Sequence, residues 1–261
     1  MKKHIIAVLF LLPFSILAQN NEGTIEYEEV IKFKIDLPPE MMKYAKDFPT
    51  EDKTNMTLSF NPKETLYKIS DRITEAPQTK NNEGGLDMEV EKVVIGGGGS
   101  TITHIDVATG TGTRSEDMMG KMFLVSLGKN ELKWNVKDEQ RDILGYTCMK
   151  ATAEDEGETV TAWFTPQIPV SSGPSGYRGL AGMILAVDIP NEDGGVTIAA
   201  TSVNLEKLKK EIQAPKKGQK VSETEFDEIV AARFACRQAA RDGPDRHQYG
   251  QDRQVSGTPI H

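Results

Sequence analysis

The side chains that could carry metal or nucleophilic chemistry are few. Beyond its first residues the chain has three histidines, His104, His247 and His261. His104 lies two residues before Asp106 in "TITHIDV", so the two side chains share one face of a predicted strand and could bind a metal together. No third ligand follows at a diagnostic spacing. We therefore predict no metal site and interpret His104 as a solvent-facing or hydrogen-bonded histidine.

A nucleophilic site would need Cys148 beside a base such as His104. No nucleophile elbow is present, and no sequence feature brings these two residues together. We interpret Cys148 as a small buried hydrophobe and leave open whether it pairs with Cys236. The acidic pairs Glu116-Asp117 and Asp138-Glu139 are adjacent, so their carboxylates point apart. We expect a protein that is not an enzyme and uses no cofactor; a hydrolase using Cys148 or His104 is the minority alternative.

Alternating apolar and polar residues predict a mainly β protein. "GTIEYEEVIKFKID" places Ile25, Tyr27, Ile31 and Phe33 on one face and charged residues on the other. Similar short runs recur in "NMTLSF", "ETLYKIS", "TITHIDV", "KMFLVSL", "LKWNV", "YTCMKATA", "TVTAWFT", "MILAVDI" and "VTIAATSV". Tight breaks between them predict an antiparallel meander that forms an open half-barrel or curved sheet.

Two helices and two flexible segments complete this picture. "PPEMMKYAKDF" predicts a short helix near residue 42, whereas residues 75–92 and the "GGGGS" of residues 96–100 predict mobile loops. Ser222 and Glu225 form a capping box for a C-terminal helix whose apolar stripe includes Phe226, Ile229, Val230 and Phe234.

The chain begins with a predicted signal peptide over residues 1–18. Lys2 and Lys3 precede an apolar run that is too short to span a bilayer, and cleavage is expected near Ala18-Gln19. Two of the 31 basic residues and none of the 39 acidic residues lie in this segment, so the remainder holds 29 against 39, a formal charge of −10. An acidic protein is a poor partner for nucleic acid.

The predicted domain organisation is simple. Residues 19–236 form one β-rich domain, and residues 237–261 form a tail that is disordered or atypical. No transmembrane segment is expected, and the location is periplasmic or secreted.

Glycine recurs at every third position in "SSGPSGYRGLAGMIL", at Gly173, Gly176, Gly179 and Gly182. Four such triplets are too few for a collagen helix. Glycine permits close approach between backbones, and Leu180, Met183 and Ile184 supply apolar anchors. We expect a compact loop folded over one end of the sheet, and Gly173, Pro174, Gly176, Tyr177, Gly179, Leu180, Gly182, Met183 and Ile184 are the candidate ligand-binding or lid residues.

Residues 122–189 resemble the GLPGLI family, exported proteins of Bacteroidota with no established biochemical activity. The naming motif is present in altered form over residues 179–184, with Ala181 in place of its proline and Met183 in place of its second leucine. The other matching motif residues, to which the resemblance assigns a structural role, are Trp134, Gly145, Tyr146, Cys148, Trp163, Pro166 and Pro169.

Two non-enzymatic functions remain open from the sequence. In the first, the sheet curves around an apolar cavity and carries a lipid-like ligand. In the second, the protein is an interaction or accessory module for an outer-membrane protein and binds it through an exposed apolar patch.

Overall fold

The computed structural model describes residues 21–34, 49–70, 101–129, 132–155, 157–192 and 194–241, with the backbone alone over 236–241. The predicted signal peptide, the short helix near residue 42, the loops at 75–92 and 96–100, and the tail beyond residue 241 lie outside this part of the chain.

Twelve strands of the described chain form one open sheet. They are β1 (Gly23–Phe33), β2 (Glu51–Phe60), β3 (Glu64–Ile69), β4 (Ile102–Asp106), β5 (Gly112–Met118), β6 (Lys121–Leu127), β7 (Asn135–Ile143), β8 (Tyr146–Asp155), β9 (Glu158–Thr165), β10 (Met183–Ile189), β11 (Gly194–Asn204) and β12 (Gln219–Ser222). The order across the sheet is β12-β6-β5-β4-β3-β2-β1-β11-β10-β9-β8-β7. The prediction of a mainly β, open fold with a C-terminal helix is confirmed.

The sheet consists of two meanders joined by one long-range pair. β1 to β6 are consecutive neighbours, as are β7 to β11, and β1 pairs with β11 from Thr24↔Asn204 to Phe33↔Gly194. β12 runs parallel to β6 at one edge, which makes the sheet mixed. The parallel pair requires a long connection, so no alternating pattern in β6 alone could have revealed it.

Two strands, β5 and β12, lack the alternation of apolar and polar residues that predicts the other strands. β5, "GTRSEDM", has only Ser115 fully buried, and β12 has only four residues. β5 is polar on both faces over most of its length and β12 has a single apolar residue, Val221, so neither shows a period-two signal and backbone pairing identifies them. The predicted strand at "LKWNV" instead begins at Asn135.

One face of the sheet, here called the inner face, carries the main core. Ile25 and Tyr27 of β1, Leu58 of β2, Ala162 of β9 and Ile198 of β11 are buried on it and belong to one cluster. Each of these strands presents alternate residues to the same face, which is the arrangement that period-two patterning predicts. The loop 166–182 between β9 and β10 adds Ile168, Val170 and Leu180 to the same cluster.

The helix α1 (Glu223–Arg241) packs on a second, smaller cluster. Glu225 Oε2 accepts a bond from Ser222 N at 2.7 Å and Glu225 N donates to Ser222 Oγ at 3.2 Å, so the predicted capping box is present. Phe226 meets Phe123 edge to face at 5.4 Å. Phe234, placed in the buried stripe by the sequence pattern, is 61% exposed, because the helix runs past the sheet that its first turns cover. The backbone helix also extends five residues beyond residue 236, into the predicted tail.

Within the described ranges, no helix has the length and apolar character needed to cross a bilayer.

We expect substitution of Gly182 to damage folding. Its φ is +153°, and a Cβ atom there would lie 2.1 Å from the carbonyl oxygen of Thr165. The atoms that this Cβ would meet are backbone atoms at the end of β9, which cannot easily move aside, so Gly182→Ala should lower the free energy of unfolding by about 3 kcal/mol or more, and Gly182→Val should fold poorly. Urea unfolding of the purified variants measures this effect.

Gly128→Ala is the matched control, because a Cβ at Gly128 meets no atom within 4 Å. Equal stability of the Gly182→Ala and Gly128→Ala proteins would contradict the close packing of the loop end.

Candidate functional site

The loop 166–182 lies against the inner face and is held there by hydrogen bonds from distant strands. β10 has a register shift between Ile184 and Ala186, which is the signature of a bulge. The Tyr27 hydroxyl donates to the Ile184 carbonyl at 2.7 Å. Burial raises the pKa of the Tyr27 phenol well above its ordinary value, so this group stays a donor.

The first half of the loop is extended and pairs beside the start of β10. Met183 N donates to the Ile168 carbonyl at 3.0 Å, and Ile184 N donates to the Ser172 carbonyl at 2.9 Å. The Ser172 hydroxyl bonds the Thr65 hydroxyl of β3 at 3.1 Å, and both residues are buried. Gly173 is buried, and a Cβ there would lie 2.7 Å from the Ile184 Cβ. The loop therefore touches both halves of the sheet.

Arg178 ties the second half of the loop to three backbone segments. Its Nε donates to the Gly110 carbonyl at 3.0 Å, Nη1 to Gly176 at 2.7 Å and Nη2 to Gly128 at 2.6 Å. The Arg178 carbonyl in turn accepts a bond from Trp134 Nε1 at 2.8 Å. A planar guanidinium suits this fork of acceptors.

A cleft of about 250 Å³ lies beside Arg178 and the turn between β4 and β5. Val107, Thr109, Lys129 and Ser171 contribute to its walls. Because three carbonyls already hold the Arg178 guanidinium, that side chain acts here as a structural clamp.

The short 3₁₀ helix Pro174–Gly176 brings Ser175 to the edge of the core. Ser175 has φ +50°, an uncommon conformation for a residue with a side chain, and is solvent-exposed. Its hydroxyl lies within hydrogen-bonding reach of the Tyr67 phenol, which donates to Glu29 Oε2 at 3.3 Å. Ser175, Tyr67 and Glu29 thus form a polar chain from solvent to the inner face.

Glu29 is a carboxyl group on an otherwise apolar row of β1. It has the same parity as Tyr27 and Ile31, and its cross-strand partners are Thr54 of β2 and Ile198 of β11. Burial raises the pKa of Glu29, and the bond from Tyr67 only partly offsets this shift. Glu29 is therefore a desolvated carboxyl at the boundary of the core.

Beyond Glu29 the inner face continues as an apolar floor made of Ile31, Val196 and Ile189. Ile31 pairs directly with Val196, and Val196 pairs with Ile189, so the three side chains share one face of β1, β11 and β10. All three are half-buried, whereas Tyr27, Ile198 and Val187 in the preceding rows are fully buried. The floor is an extension of the core that other described side chains only partly cover.

The structure separates His104 from Cys148. β4 carries His104, β8 carries Cys148, and six strands lie between β4 and β8 in the sheet. His104 Nε2 lies 2.9 Å from Glu64 Oε2 on the neighbouring strand, so the interpretation as a hydrogen-bonded histidine holds. Asp106 Oδ1 accepts bonds from Thr109 at the following turn. No cluster of three or more metal-ligating side chains occurs among the described residues.

Cys148 is a fully buried free thiol whose Sγ lies 3.4 Å from the Tyr146 carbonyl. Burial raises the pKa of this thiol to about 11. Since the thiolate is the nucleophile, a thiol protonated at neutral pH is inert.

The remaining sequence-predicted residues differ in their burial and contacts. Leu180, Met183 and Ile184 are buried in the main core with Gly173 and Pro174, whereas Gly176 and Tyr177 are half-buried and Gly179 is exposed. Tyr177 meets Trp134 edge to face at 6.4 Å. Trp163 lies under the Arg141 guanidinium at 4.2 Å, Gly145 and Tyr146 lie at the β7–β8 turn, and Pro166 and Pro169 are exposed at the start of the loop. The role of these residues as a lid or family motif stays a prediction.

Residues 153–186 match a family described as "Protein of unknown function (Porph_ging)". The match begins in β8 and ends in β10, so it includes β9 and the whole loop 166–182. No curated protein sequence matches the chain.

Three solved structures show a distant likeness. Two crystal forms of PNGF-II, in space groups C2 and P21, each share 16% identity and a TM-score of 0.46 over 80% of this chain. The chain spans about a third of PNGF-II, 32% and 33% in the two forms. LprF from Mycobacterium bovis shares 10% identity over 77% of this chain and 92% of its own, with a TM-score of 0.27. Similarity at this level carries no argument about function.

Sequence reasoning missed Glu29, Tyr67 and Arg178 as members of the site. The signal for Glu29 was present, because a charged residue occupies the apolar parity of the clearest strand. No sequence signal marked Tyr67 or Arg178, since a tyrosine is common in strands and a single arginine in a loop breaks no periodic pattern.

We expect Arg178→Lys to lower the free energy of unfolding by about 2 kcal/mol. An ammonium group cannot hold three carbonyls in the fork that the guanidinium satisfies, and hydrogen bonds to charged groups contribute about 1.5–3 kcal/mol. Urea unfolding measures the loss. Arg233→Lys on α1 is the control, because the one bond described for this side chain is to Met119 Sδ at 3.4 Å, and a loss no larger in Arg178→Lys would contradict the clamp.

We expect Cys148 to resist thiol reagents in the folded protein. In a Cys236→Ala background, 5,5′-dithiobis(2-nitrobenzoate) at pH 8 should modify Cys148 only after urea unfolds the chain, because the folded thiol is buried and protonated. Release of the coloured thiolate measures the reaction. Rapid modification without urea would show an accessible thiolate and reopen the nucleophile alternative.

Proposed function

We propose that this chain is an exported, non-enzymatic binding protein of the cell envelope that holds an apolar ligand on the inner face of its sheet. Membership of the GLPGLI family, export and cleavage near Ala18 are parts of the same proposal. The loop 166–182, which contains the first four residues of the altered motif, forms one wall of the site and fixes the turn that carries Ser175.

The observation that carries the proposal is the apolar floor of Ile31, Val196 and Ile189. Three β-branched side chains on adjacent strands are only half-buried, yet they continue a core whose preceding rows are closed. Covering such a surface with an aliphatic chain is favourable by roughly 25 cal/mol per Å². An open sheet with an incompletely covered apolar face is an arrangement suited to a ligand.

The geometry of the possible nucleophiles supports a role without catalysis. His104 is bonded to Glu64, Cys148 is a buried thiol, and the two are separated by six strands. Ser175 is exposed beside Tyr67. Burial raises the pKa of the Tyr67 phenol, so the phenol stays protonated and cannot act as the base that a serine nucleophile needs.

The second candidate is an interaction module, and the observation in its favour is the edge strand β7. Among the described strands, β7 pairs with β8 alone, and it exposes Val136 at 51%, with Leu144 at 47% just beyond its end. A register shift between Val136 and Gln140 and the charged residues within it protect this edge from strand addition. The edge therefore suits a partner that binds side chains.

Native mass spectrometry of the protein purified from its own periplasm, followed by organic extraction, tests the proposal. We expect a stoichiometric apolar adduct that organic solvent releases. An empty protein would favour the interaction module, for which crosslinking in the intact envelope is the direct assay.

A matched pair of variants locates the ligand. We expect Ile31→Ser to weaken binding of the neutral dye Nile red about tenfold, because a buried aliphatic group is lost from the floor. Val30→Ser is the control, since Val30 is half-buried on the opposite face of the same strand. Dye fluorescence titrations measure both affinities, and equal losses in the two variants would contradict binding on the inner face.

A further inference from the structure

On the strands around Glu29, the charged side chains of the inner face are acidic. On β1, β2, β3, β10 and β11, the positions that share the face of Tyr27 include the carboxyl groups of Glu29 and Asp52. Ile31 pairs with Asp52 and Glu29 pairs with Thr54, so the two carboxyl groups are diagonal neighbours on adjacent strands. The lysines of these strands, Lys32, Lys53 and Lys68, occupy the opposite parity.

No described cation therefore faces Glu29 from the strands packed around it. Its hydrogen bond from Tyr67 is neutral, and it forms no ion pair with another described residue. Burying a carboxylate without a compensating charge is costly. A positively charged group placed beside Glu29 would remove that cost and also meet the charge of Asp52.

The floor and Glu29 are adjacent rows of the same surface. On β1, Ile31 is two residues after Glu29 and lies on the same face. On the antiparallel strand β11, Val196 is two residues before Ile198 and also lies on that face. The head group of an aliphatic chain lying on Ile31, Val196 and Ile189 would reach the next cross-strand row of this face, which contains Glu29. The Tyr67 hydroxyl, which donates to Glu29 Oε2 at 3.3 Å, binds one of the two oxygens of that carboxylate.

We propose that the inner-face site recognises an amphiphile with a primary ammonium head, the aliphatic tail lying on the floor and the head group paired with the Glu29 carboxylate. This inference rests on the proposed function. It adds the charge of the ligand and the residue that selects it.

Three twelve-carbon probes that differ only in the head group test the inference: dodecylamine, 1-dodecanol and dodecanoate. Each is added below its micelle concentration at pH 7 to the full chain loaded with Nile red, and displacement of the dye gives the affinity. We expect dodecylamine to bind at least tenfold more tightly than 1-dodecanol, and dodecanoate to bind most weakly.

Glu29→Gln separates charge from shape. We expect this variant to bind dodecylamine about tenfold more weakly while its affinity for 1-dodecanol stays within twofold. Its fold should persist, because the raised pKa of Glu29 means that ionisation opposes folding. This penalty grows as pH rises from the unfolded pKa to the folded pKa, then levels off, and it is absent in Gln. Glu28→Gln, on the opposite face of β1, is the matched control and should bind all three probes as the wild type does.

The outcomes distinguish the two levels of the proposal. Equal binding of the three probes, unchanged in Glu29→Gln, would overturn the ammonium head and leave apolar binding intact. Failure of Nile red and of every probe to bind would overturn both. Equal losses in Glu29→Gln and Glu28→Gln would overturn the assignment to the inner face.

Discussion

The hydrogen bond from Tyr27 to the Ile184 carbonyl links the two meanders at the centre of the sheet. It joins residues 157 positions apart in the chain. A loop cannot lie on a hydrophobic face unless its backbone groups find partners, because each unpaired buried group costs about 1–3 kcal/mol. In the loop 166–182, the carbonyls of Ile168 and Ser172 accept bonds from the start of β10, and those of Gly176 and Arg178 accept bonds from the Arg178 and Trp134 side chains. The closed half of the core therefore depends on these hydrogen bonds.

The incomplete half of the core follows from where the loop ends. Its apolar residues cover the rows of Ile25 and Tyr27, and its 3₁₀ turn reaches Tyr67. The next rows contain Glu29 and then the floor of Ile31, Val196 and Ile189, which described side chains cover only in part. A desolvated carboxyl therefore lies where a closed core meets a surface that is still apolar, a position where an amphiphile can satisfy both.

Strand patterning, the capping box and the hydrogen-bonded state of His104 could all be predicted from the sequence. The first two depend on residues within a few positions of one another. The third reflects the usual structural role of a single histidine. β5 and β12 could not be predicted, because β5 is polar on both faces over most of its length and β12 has four residues with a single apolar one, Val221, so pairing with β4 and β6 defines them. Phe234 had the right spacing for a buried stripe, but nothing in that spacing shows where the underlying sheet ends.

The sequence alone determined the β class, the face that each apolar residue of β1 occupies and the compact nature of the glycine-rich loop, because these follow from local periodicity and backbone freedom. Tertiary structure decided which strands meet. The pair β1–β11 places Glu29 beside Ile198 and Ile31 beside Val196, and Tyr67 reaches Glu29 from β3 across β2. Registers between strands more than 150 residues apart come from the packing of the whole core, so the site that they create has no signature in any one segment.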